Sequence, residues 1–202
     1  MFEGRTVGYL GSNCYLFACD QTKKGVLIDP GDEPDKIEQW IAGSGVTIEK
    51  ILLTHGHADH IGAVGALRQA WGAKVAIHQA DANMLNDRSA LSYFGLNQTA
   101  GNADEYLTDG QVLQVGNEKI QVIHTPGHTP GGVCFLTSAG LFCGDTVFAG
   151  SIGRTDFAGG SHAQLMDSIR DKLLVLPDET PIFPGHMQPS TIGREKRENP
   201  FF

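Results

Sequence analysis

The sequence of 202 residues is poor in positive charge and has no long apolar run. Lysine and arginine number 15 against 23 acidic residues, a formal net charge of -8. Nucleic-acid-binding proteins usually carry a basic patch, so no nucleic-acid partner is expected. No stretch of about 18 apolar residues is present, so no membrane-spanning helix is expected either. The first residues lack a basic segment followed by an apolar one, and we therefore expect a cytoplasmic protein.

Cysteine is also scarce, and the spacing of the cysteines excludes the commonest cysteine motifs. Cys14, Cys19, Cys134 and Cys143 form no C-x-x-C pair and lie mostly in apolar stretches. This setting is typical of buried free thiols in a reducing compartment. Glycine, by contrast, is abundant, with 26 residues that cluster just after apolar stretches. That pattern predicts many sharp loops at the ends of strands.

Strand-like and helix-like stretches alternate along the chain without a repeat or a linker. The first third predicts short strands in hairpins, the first of them over 6–11. Helical periodicity predicts four helices, at 34–45, 59–73, 79–87 and 161–176. Ser161 is expected to cap the last of these, while 88–105 has no clear period and predicts an irregular lid or pocket wall. The pattern predicts one domain, 1–202, in which sheet packs on sheet with helices outside.

The most unusual stretch is "THGHADHIG", which follows the predicted strand "IEKILL". Imidazole and carboxylate groups are the natural ligands of zinc and similar ions. His55 and His57 are two apart, so in an extended loop they point the same way and can hold one ion. Asp59 and His60 fall where the next helix begins, which suits a second ion beside the first. Two adjacent divalent ions form a recognised hydrolytic device.

Other metal-ligating side chains also follow predicted strands. They are His124, His128, Asp145 and His186. Loops at the ends of strands often meet at one edge of a sheet, so these residues can join the first group across long sequence distances. For each of them taken alone, an ordinary loop residue is an equal interpretation.

Four stretches resemble the motifs of the metallo-β-lactamase superfamily, in order and over nearly the whole chain: "THGHADHIG", "HTPGHTPGGVCF", "LFCGDTVF" and "FPGHM". The resemblance implies an α/β (α+β) fold, a four-layer αββα sandwich of two mixed sheets with helices on both outer faces. It implies a first metal site of His55, His57 and His128, a second of Asp59, His60 and His186, and Asp145 as the bridge between them.

Two further stretches, "GDTVFAGSIGRTDF" and "STIGREKRENPF", resemble the glyoxalase II branch, the hydroxyacylglutathione hydrolases, in its short bacterial type. This implies hydrolysis of a small-molecule thioester such as S-lactoylglutathione by a water activated between two divalent ions. Zinc is the first expectation for the metal, with iron and manganese as alternatives. Asp59 would also aim the water. No spare residue stands out as a general acid, and a thiolate, with a pKa of about 8.5, needs none.

The resemblance also implies substrate contacts. Arg154 replaces a basic residue that meets the glutathione carboxylate in longer relatives, and an ion pair with Asp156 is the equal alternative. Tyr93 and Phe94, in the irregular segment, are expected at the substrate pocket or in loop packing. Asp29, in "LIDPG", is expected either to orient a ligand or to form a turn.

Other functions stay open from the sequence. "GRTDF" is also similar to the persulfide dioxygenases, which are mononuclear iron enzymes, and a different metal-dependent hydrolase, such as a lactonase, would share the same ligands. His78 and His124 are expected either to support a metal ligand by a hydrogen bond or to be structural. The basic residues of the tail, Arg194, Lys196 and Arg197, are expected to be solvated, with contact to an anionic substrate as the alternative.

Overall fold

The structure is a computed structural model of the chain and describes residues 1–93, 95 and 98–202. Two six-stranded sheets pack face to face, and helices cover their outer faces. Both sheets mix parallel and antiparallel pairs. The α/β fold of two mixed sheets with outer helices, predicted from the sequence, is confirmed.

The first sheet has its strands in sequence order: β1 (Phe2–Val7), β2 (Ser12–Ala18), β3 (Lys24–Ile28), β4 (Thr47–Leu52), β5 (Lys74–His78) and β6 (Glu105–Leu107). The first three pair antiparallel, which confirms the predicted hairpins, and β3 to β6 pair parallel. Ile28 lies opposite Leu52, so the segments that follow β3 and β4 leave the sheet at the same edge.

The second sheet is built from the rest of the chain: β7 (Val112–Val115), β8 (Glu118–His124), β9 (Val133–Thr137), β10 (Gly140–Gly144), β13 (Pro181–Pro184) and β14 (Ser190–Thr191). A small separate hairpin consists of β11 (Val147–Phe148) and β12 (Ser151–Ile152). β10 and β13 pair parallel, and β8 runs in the same direction because it pairs antiparallel with β9. The carboxyl ends of β8, β10 and β13 therefore share one edge.

The described residues form these α-helices: α1 (Pro34–Ser44), α2 (Ala58–Ile61), α3 (Val64–Trp71), α4 (Arg88–Tyr93), α5 (His162–Ser168) and α6 (Ile192–Glu198). A 3₁₀ helix spans Gln79–Asn86, and a π-helical turn, Ile169–Leu173, continues α5. The predicted cap is confirmed, because the Ser161 hydroxyl accepts a hydrogen bond from the backbone N–H of Gln164.

Two local predictions were wrong, and a third, the irregular lid or pocket wall at 88–105, was correct only in part, since Ala90 and Tyr93 do line cavities. Residues 8–11 form a turn instead of a strand, with Gly8 and Gly11 in the left-handed region at φ 68° and 66°. The helix predicted over 59–73 breaks in two, because the N–H of Ala63 donates to the carbonyl of Pro30. The segment predicted to be irregular contains α4, whose first N–H groups are capped by the carboxylate of Asp87, and it ends in β6.

The core has three apolar layers, one between the sheets and one under the helices on each side. The alternation along a strand divides its side chains between layers. In β2, Tyr15 and Phe17 face the other sheet, while Leu16 faces the helices. The four cysteines are buried and unpaired, as predicted. Within the part of the chain that the structure describes, no helix is long and apolar enough to cross a bilayer.

Candidate metal centre

The seven side chains singled out by the resemblance all meet at one edge of the sandwich. Four of them, His55, His57, Asp59 and His60, belong to the loop after β4 and to α2. The other three, His128, Asp145 and His186, follow β8, β10 and β13 in the second sheet. The centre therefore lies where the strand ends of the two sheets come together.

The first set of ligand atoms consists of three imidazoles, those of His55, His57 and His128, with one nitrogen from each within 4.8 Å of the others. Nδ1 of His57 and Nε2 of His128 are 2.9 Å apart. The Nδ1 of His128 lies 2.7 Å from the carbonyl oxygen of Arg154, to which it can only donate, and this leaves Nε2 as a lone pair. Two nitrogen lone pairs at such a distance need a proton or a metal cation between them.

The second set combines a carboxylate with two imidazoles. Oδ2 of Asp59 lies 3.1 Å from Nε2 of His186 and 3.7 Å from Nε2 of His60. His60 is fully buried at the start of α2. Mixed oxygen and nitrogen ligands of this kind suit zinc, iron and manganese.

Asp145 touches both sets. Its Oδ1 lies 3.4 Å from Nε2 of His60, and its Oδ2 lies 3.6 Å from Nε2 of His128 and 3.7 Å from Nε2 of His186. Gly185 makes this approach possible, since a Cβ there would collide with Oδ1 of Asp145 and lie 2.6 Å from Cε1 of His60. The glycine of "FPGHM" is therefore required by contact with the centre.

Three buried side-chain polar atoms have no hydrogen-bond partner among the described residues: Nε2 of His55, Nε2 of His60 and Oδ1 of Asp145. Buried polar atoms are nearly always paired, so isolated exceptions require a reason. All three lie in the centre and are of the kinds that bind divalent cations. The donor set therefore fits metal ions.

The protonation of the two sets differs. Burial, reinforced by the neighbouring histidines, lowers the pKa of His55 well below its usual value and that of His57 to about 3. Burial also opposes the charged form of His60, but Asp145, Asp29 and Asp59 outweigh it and raise the pKa of His60 to about 10. His55 and His57 of the first set thus offer neutral imidazoles, while His60 holds a proton.

The same carboxylate–imidazole contacts act on the other members of the second set. Burial lowers the pKa of His186, but the hydrogen bond with Asp59 and the charges of Asp145 and Asp59 together outweigh it, and the net pKa lies above the usual value. Burial raises the pKa of Asp59, but the contacts with His186 and His60 bring it below its usual range. Asp59 is therefore ionised and His186 is favoured in its charged form.

Asp29 does both things that the sequence left open. It lies in the left-handed region at φ 49°, as a turn-forming aspartate does. Its Oδ2 lies 3.1 Å from Nδ1 of His60, and its oxygens also accept hydrogen bonds from the N–H and hydroxyl of Thr54, at 2.8 and 2.5 Å. Because both oxygens are engaged, Asp29 orients His60 and leaves its Nε2 facing the centre.

The sequence interpretation missed Asp81, which lies in the 3₁₀ helix after β5. Its carboxylate is fully buried between the loops that carry the first set, and accepts hydrogen bonds from the hydroxyl of Thr129 and the N–H of Gly131, each at 2.7 Å, and from the N–H of Gly56. The available signal was its place just after a strand, the same place that the ligands occupy.

A cavity of about 690 Å³ opens beside the centre. It is lined by members of both ligand sets and by an apolar wall: Leu10, Ala58, Ala90, Phe148, Ile152, Phe157 and Met187. Phe157, also missed from the sequence, has its ring centroid 5.2 Å from that of His57. An apolar wall with a few converging polar groups is the usual form of a small-molecule site.

Arg154 and Tyr93 lie at different places around the centre. Arg154 lines the large cavity, and its exposed guanidinium forms a two-pronged ion pair with Asp156 and lies 4.3 Å over the Phe157 ring. Tyr93 is largely exposed and lines a neighbouring cleft of about 420 Å³ that shares Asp59 with the large cavity. Phe94 lies outside the described residues.

The C-terminal helix α6 and the residue after it bind the β11–β12 hairpin, which forms part of the cavity wall. The buried Glu195 accepts a hydrogen bond from the N–H of Gly150, in the turn of the β11–β12 hairpin. The Asn199 amide donates to the carbonyl of Ser151 at 3.0 Å and to that of Phe148 at 3.5 Å. This hairpin carries Phe148 and Ile152, so α6 positions two residues that line the cavity.

The remaining sequence candidates lie away from the ligand atoms. His78 and His124 stack on each other, with ring centroids 4.2 Å apart, in agreement with a structural role. In the tail, Arg194 pairs with Glu198, and Lys196 pairs with Asp178. These basic residues are exposed, as expected.

Comparison with known proteins agrees with this geometry. The sequence-family model of the metallo-beta-lactamase superfamily matches residues 7–186 of this chain. A probable metallo-hydrolase, YqgX of Bacillus subtilis, is 38% identical over 96% of this chain and 94% of its own length. The hydroxyacylglutathione hydrolase GloC of Haemophilus influenzae is 38% identical over 94% of this chain and 92% of its own length.

Solved structures share the whole fold. The B3 metallo-beta-lactamase BLEG-1 has a TM-score of 0.93 at 39% identity, covering 100% of this chain and 99% of its own. TTHA1623, solved in a di-iron-bound form, has a TM-score of 0.90 at 38% identity, covering 99% and 100%. ETHE1 from Myxococcus xanthus has a TM-score of 0.84 at 34% identity, covering 99% and 83%.

Proposed function

The chain belongs to the metallo-beta-lactamase superfamily, and on that premise we propose that it is a dinuclear metal-dependent thioester hydrolase of the glyoxalase II type. The similarity to the hydroxyacylglutathione hydrolase GloC supports this choice. The proposed substrate is a small-molecule thioester, with S-lactoylglutathione, a glutathione conjugate, as the first compound to test. We propose that the protein acts in the cytoplasm without a nucleic-acid partner.

In this proposal the first set, His55, His57 and His128, holds one divalent ion, and the second set, Asp59, His60 and His186, holds another. Asp145 belongs to both. We propose zinc for both positions because the imidazole-rich donors suit it, while the di-iron form of TTHA1623 keeps iron as an alternative. Bound divalent ions lower the pKa of water and polarise a carbonyl group.

Asp59 has a role besides ligation. It lines both the large cavity and the neighbouring cleft, so its carboxylate reaches the space that the substrate and the attacking water must share. An ionised carboxylate accepts a hydrogen bond from water and so fixes the direction of attack. The contact with His186, at 3.1 Å, holds Oδ2 of Asp59 in place.

The observation that carries the thioester proposal is the lack of a spare proton donor. Apart from the ligand residues, the only ionisable side chain among the described residues lining the large cavity is Arg154. An amine leaving group needs protonation as the tetrahedral species collapses, whereas a thiolate, with a pKa near 8.5, leaves without it. The cavity is thus better suited to a thioester than to an amide or a lactam.

Arg154 and Tyr93 are the proposed substrate-binding residues. Arg154 lies at the cavity beside His128, and exchanging its exposed partner Asp156 for a substrate carboxylate costs little, because exposed ion pairs are worth about 0–1 kcal/mol. Tyr93 is placed to contact the part of the substrate that extends past Asp59 into the neighbouring cleft.

The first experiment is steady-state hydrolysis of S-lactoylglutathione by the zinc-loaded protein. We expect kcat/KM of about 10⁴ M⁻¹s⁻¹ or more, and loss of this activity in Asp59→Ala. A β-lactam is assayed in parallel because of the similarity to BLEG-1. Turnover of the β-lactam but of no thioester would overturn the proposal.

The second candidate is a mononuclear iron persulfide dioxygenase. "GRTDF" is similar to that family, and the ligands of the first set, together with Asp145, are sufficient for a single iron. Oxygen uptake with glutathione persulfide, at one iron per chain, identifies this activity. A lactonase would share the same centre, and it would be distinguished by turnover of a lactone in the same assays.

A further inference from the structure

A buried carboxylate outside the ligand sets links the loop that carries His55 and His57 to the loop that carries His128. Asp81 lies on the 3₁₀ helix after β5. Its Oδ2 accepts a hydrogen bond from the hydroxyl of Thr129, next to His128 in the chain, and its Oδ1 accepts one from the N–H of Gly131, three residues after His128. The same carboxylate accepts a hydrogen bond from the N–H of Gly56, which lies between His55 and His57.

The packing around this carboxylate is close on both sides. A Cβ on Gly131 would lie 2.6 Å from Cγ and Oδ1 of Asp81, and a Cβ on Gly56 would lie 3.1 Å from its carbonyl oxygen. The loop of Gly131 therefore packs directly against the carboxylate of Asp81. A Cβ on Gly56 would also lie 2.6 Å from Cβ of Met84, so neither glycine has room for a larger side chain. Asp81 is fully buried, and burial raises the pKa of its carboxyl above the usual value, an effect that the hydrogen bonds from Thr129, Gly131 and Gly56 offset in part.

These contacts have a direct consequence for the first set. His57 and His128 come from different sheets, and their ligand nitrogens are 2.9 Å apart. Another link between the two loops lies at their bases, where the N–H of Val133 donates to the carbonyl of Thr54. Asp81 instead connects the residues adjacent to the ligands themselves.

We propose that Asp81 is a positioning residue for the first ion, which fixes the spacing of His57 and His128 by binding Gly56, Thr129 and Gly131 together. This inference rests on the ligand assignment under the proposed function. A carboxylate suits the position because all three partners donate to it, whereas an amide would point an N–H group at one of them.

The test measures zinc affinity by competition with a chromophoric chelator. The parent protein for all comparisons is His186→Ala, in which the second set has lost a ligand and the first set keeps its three histidines. Asp81→Asn is expected to lower the affinity about 10–100-fold, the usual effect of losing a group that orients ligands. Thr129→Val, which removes one donor at constant volume, is expected to lower it about tenfold, and Thr129→Ser, which keeps the hydroxyl, to restore it. The visible spectrum of the cobalt(II)-substituted protein should change with Asp81→Asn and Thr129→Val, but not with Thr129→Ser.

Glu195→Gln is the matched control. Glu195 is also a buried carboxylate that accepts a backbone hydrogen bond, but it contacts Gly150, Ser190 and Asn199 instead of the ligand loops. The zinc affinity of the Glu195→Gln variant, measured in the same His186→Ala background, should stay within about threefold of the parent's. Equal losses in Glu195→Gln and Asp81→Asn would overturn the inference, since affinity would then follow general stability.

Two other outcomes would also overturn it. One is zinc affinity in Asp81→Asn and Thr129→Val that equals the parent's, with an unchanged cobalt spectrum. The other is a parent that binds no zinc at all, which rejects the ligand assignment together with this inference. If Asp81→Asn does not fold, the pair Thr129→Val and Thr129→Ser decides, because the hydroxyl is the only group that differs in hydrogen bonding.

Discussion

The two ligand sets differ in what they hold before any metal binds. The first set consists of imidazoles in which burial lowers the pKa of His55 and His57, so those side chains are neutral. In the second set, the contacts of His60 and His186 with carboxylates raise their pKa values, and at His60, with a pKa of about 10, a proton occupies the place that a cation would take. One set is prepared for a cation, and the other must first release protons.

The difference comes from where the carboxylates lie. Asp29, Asp59 and Asp145 all lie within 3.7 Å of a ring nitrogen of His60. The ligand atoms of His55 and His57 instead lie mainly among other imidazoles. The Oδ2 of Asp145 approaches this set at 3.6 Å from Nε2 of His128, and an oxygen of Asp29 lies within 4.8 Å of a ring nitrogen of His55. Identical residue types thus give opposite protonation because of their neighbours.

Removing Asp145 should weaken metal binding at both sets together, because this residue contacts ligands of both. We expect Asp145→Ala to lose both ions on dialysis and to lower kcat/KM by about three orders of magnitude or more. Metal content per chain and hydrolysis of the identified substrate measure this, with a thermal unfolding curve as the check on folding. A variant that retains two metals would contradict the shared role.

Varying the pH sharpens the comparison. His60, with a pKa of about 10, carries its proton at pH 6 to 8, and a cation must displace it. The affinity for the second ion should therefore rise with pH, about tenfold per unit for each proton released. His57, with a pKa of about 3, is already neutral, so the first ion should show a much weaker dependence. Stepwise zinc titrations at pH 6, 7 and 8 measure both slopes, and equal slopes would contradict the assignment.

Asp29→Asn is expected to act mainly on the second set. Asp29 contacts His60 directly, but it reaches His55 only through the hydroxyl of Thr54. Asparagine tolerates the left-handed backbone at this position, so the fold should be kept. We expect the affinity for the second ion to fall about 10–100-fold, and the affinity for the first by less. A larger loss at the first ion in calorimetric titration would reverse this interpretation.

Arg154→Ala should have the smallest effect and leave both sets intact. The carbonyl that accepts the hydrogen bond from His128 is part of the backbone and survives the substitution. We expect KM to rise several-fold with little change in kcat, and the stability to change by less than about 0.5 kcal/mol. Asp156→Asn is the matched control, since it removes the partner and keeps the cation. Equal losses in kcat and kcat/KM would argue against a substrate contact.

The ligands of the centre differ in how easily the sequence alone predicts them. His55, His57, Asp59 and His60 stand out because their spacing is local, and a short loop brings them together whatever the rest of the chain does. His128, Asp145 and His186 are single residues in separate loops, and only the resemblance of whole motifs selected them. The parallel register of β10 and β13, which carries Asp145 and His186 to one edge, depends on packing across the sheet.

Asp81 and the cavity wall could not be predicted in this way. Asp81 is defined by hydrogen bonds to residues 25 and 50 positions away, which no local pattern encodes. No local pattern marks Phe148 and Ile152 as cavity residues, because their place in the wall depends on the hydrogen bonds between Asn199, at the end of α6, and their hairpin. Capping and turn chemistry was present but missed: Asp87 starts α4, and Gly8 and Gly11 make a turn of what looked like a strand.

The close match between strand order and sequence order also bears on how the molecule assembles. In each sheet most strands pair with neighbours in the chain, and such pairings close short loops and form early. The ligand cluster is complete only when the two sheets dock, so its ions bind the finished state. Stabilisation gained after the transition state slows unfolding and leaves the refolding rate nearly unchanged. Bound metal would thus stabilise the protein kinetically, and a chelator would increase the unfolding rate with little effect on the refolding rate.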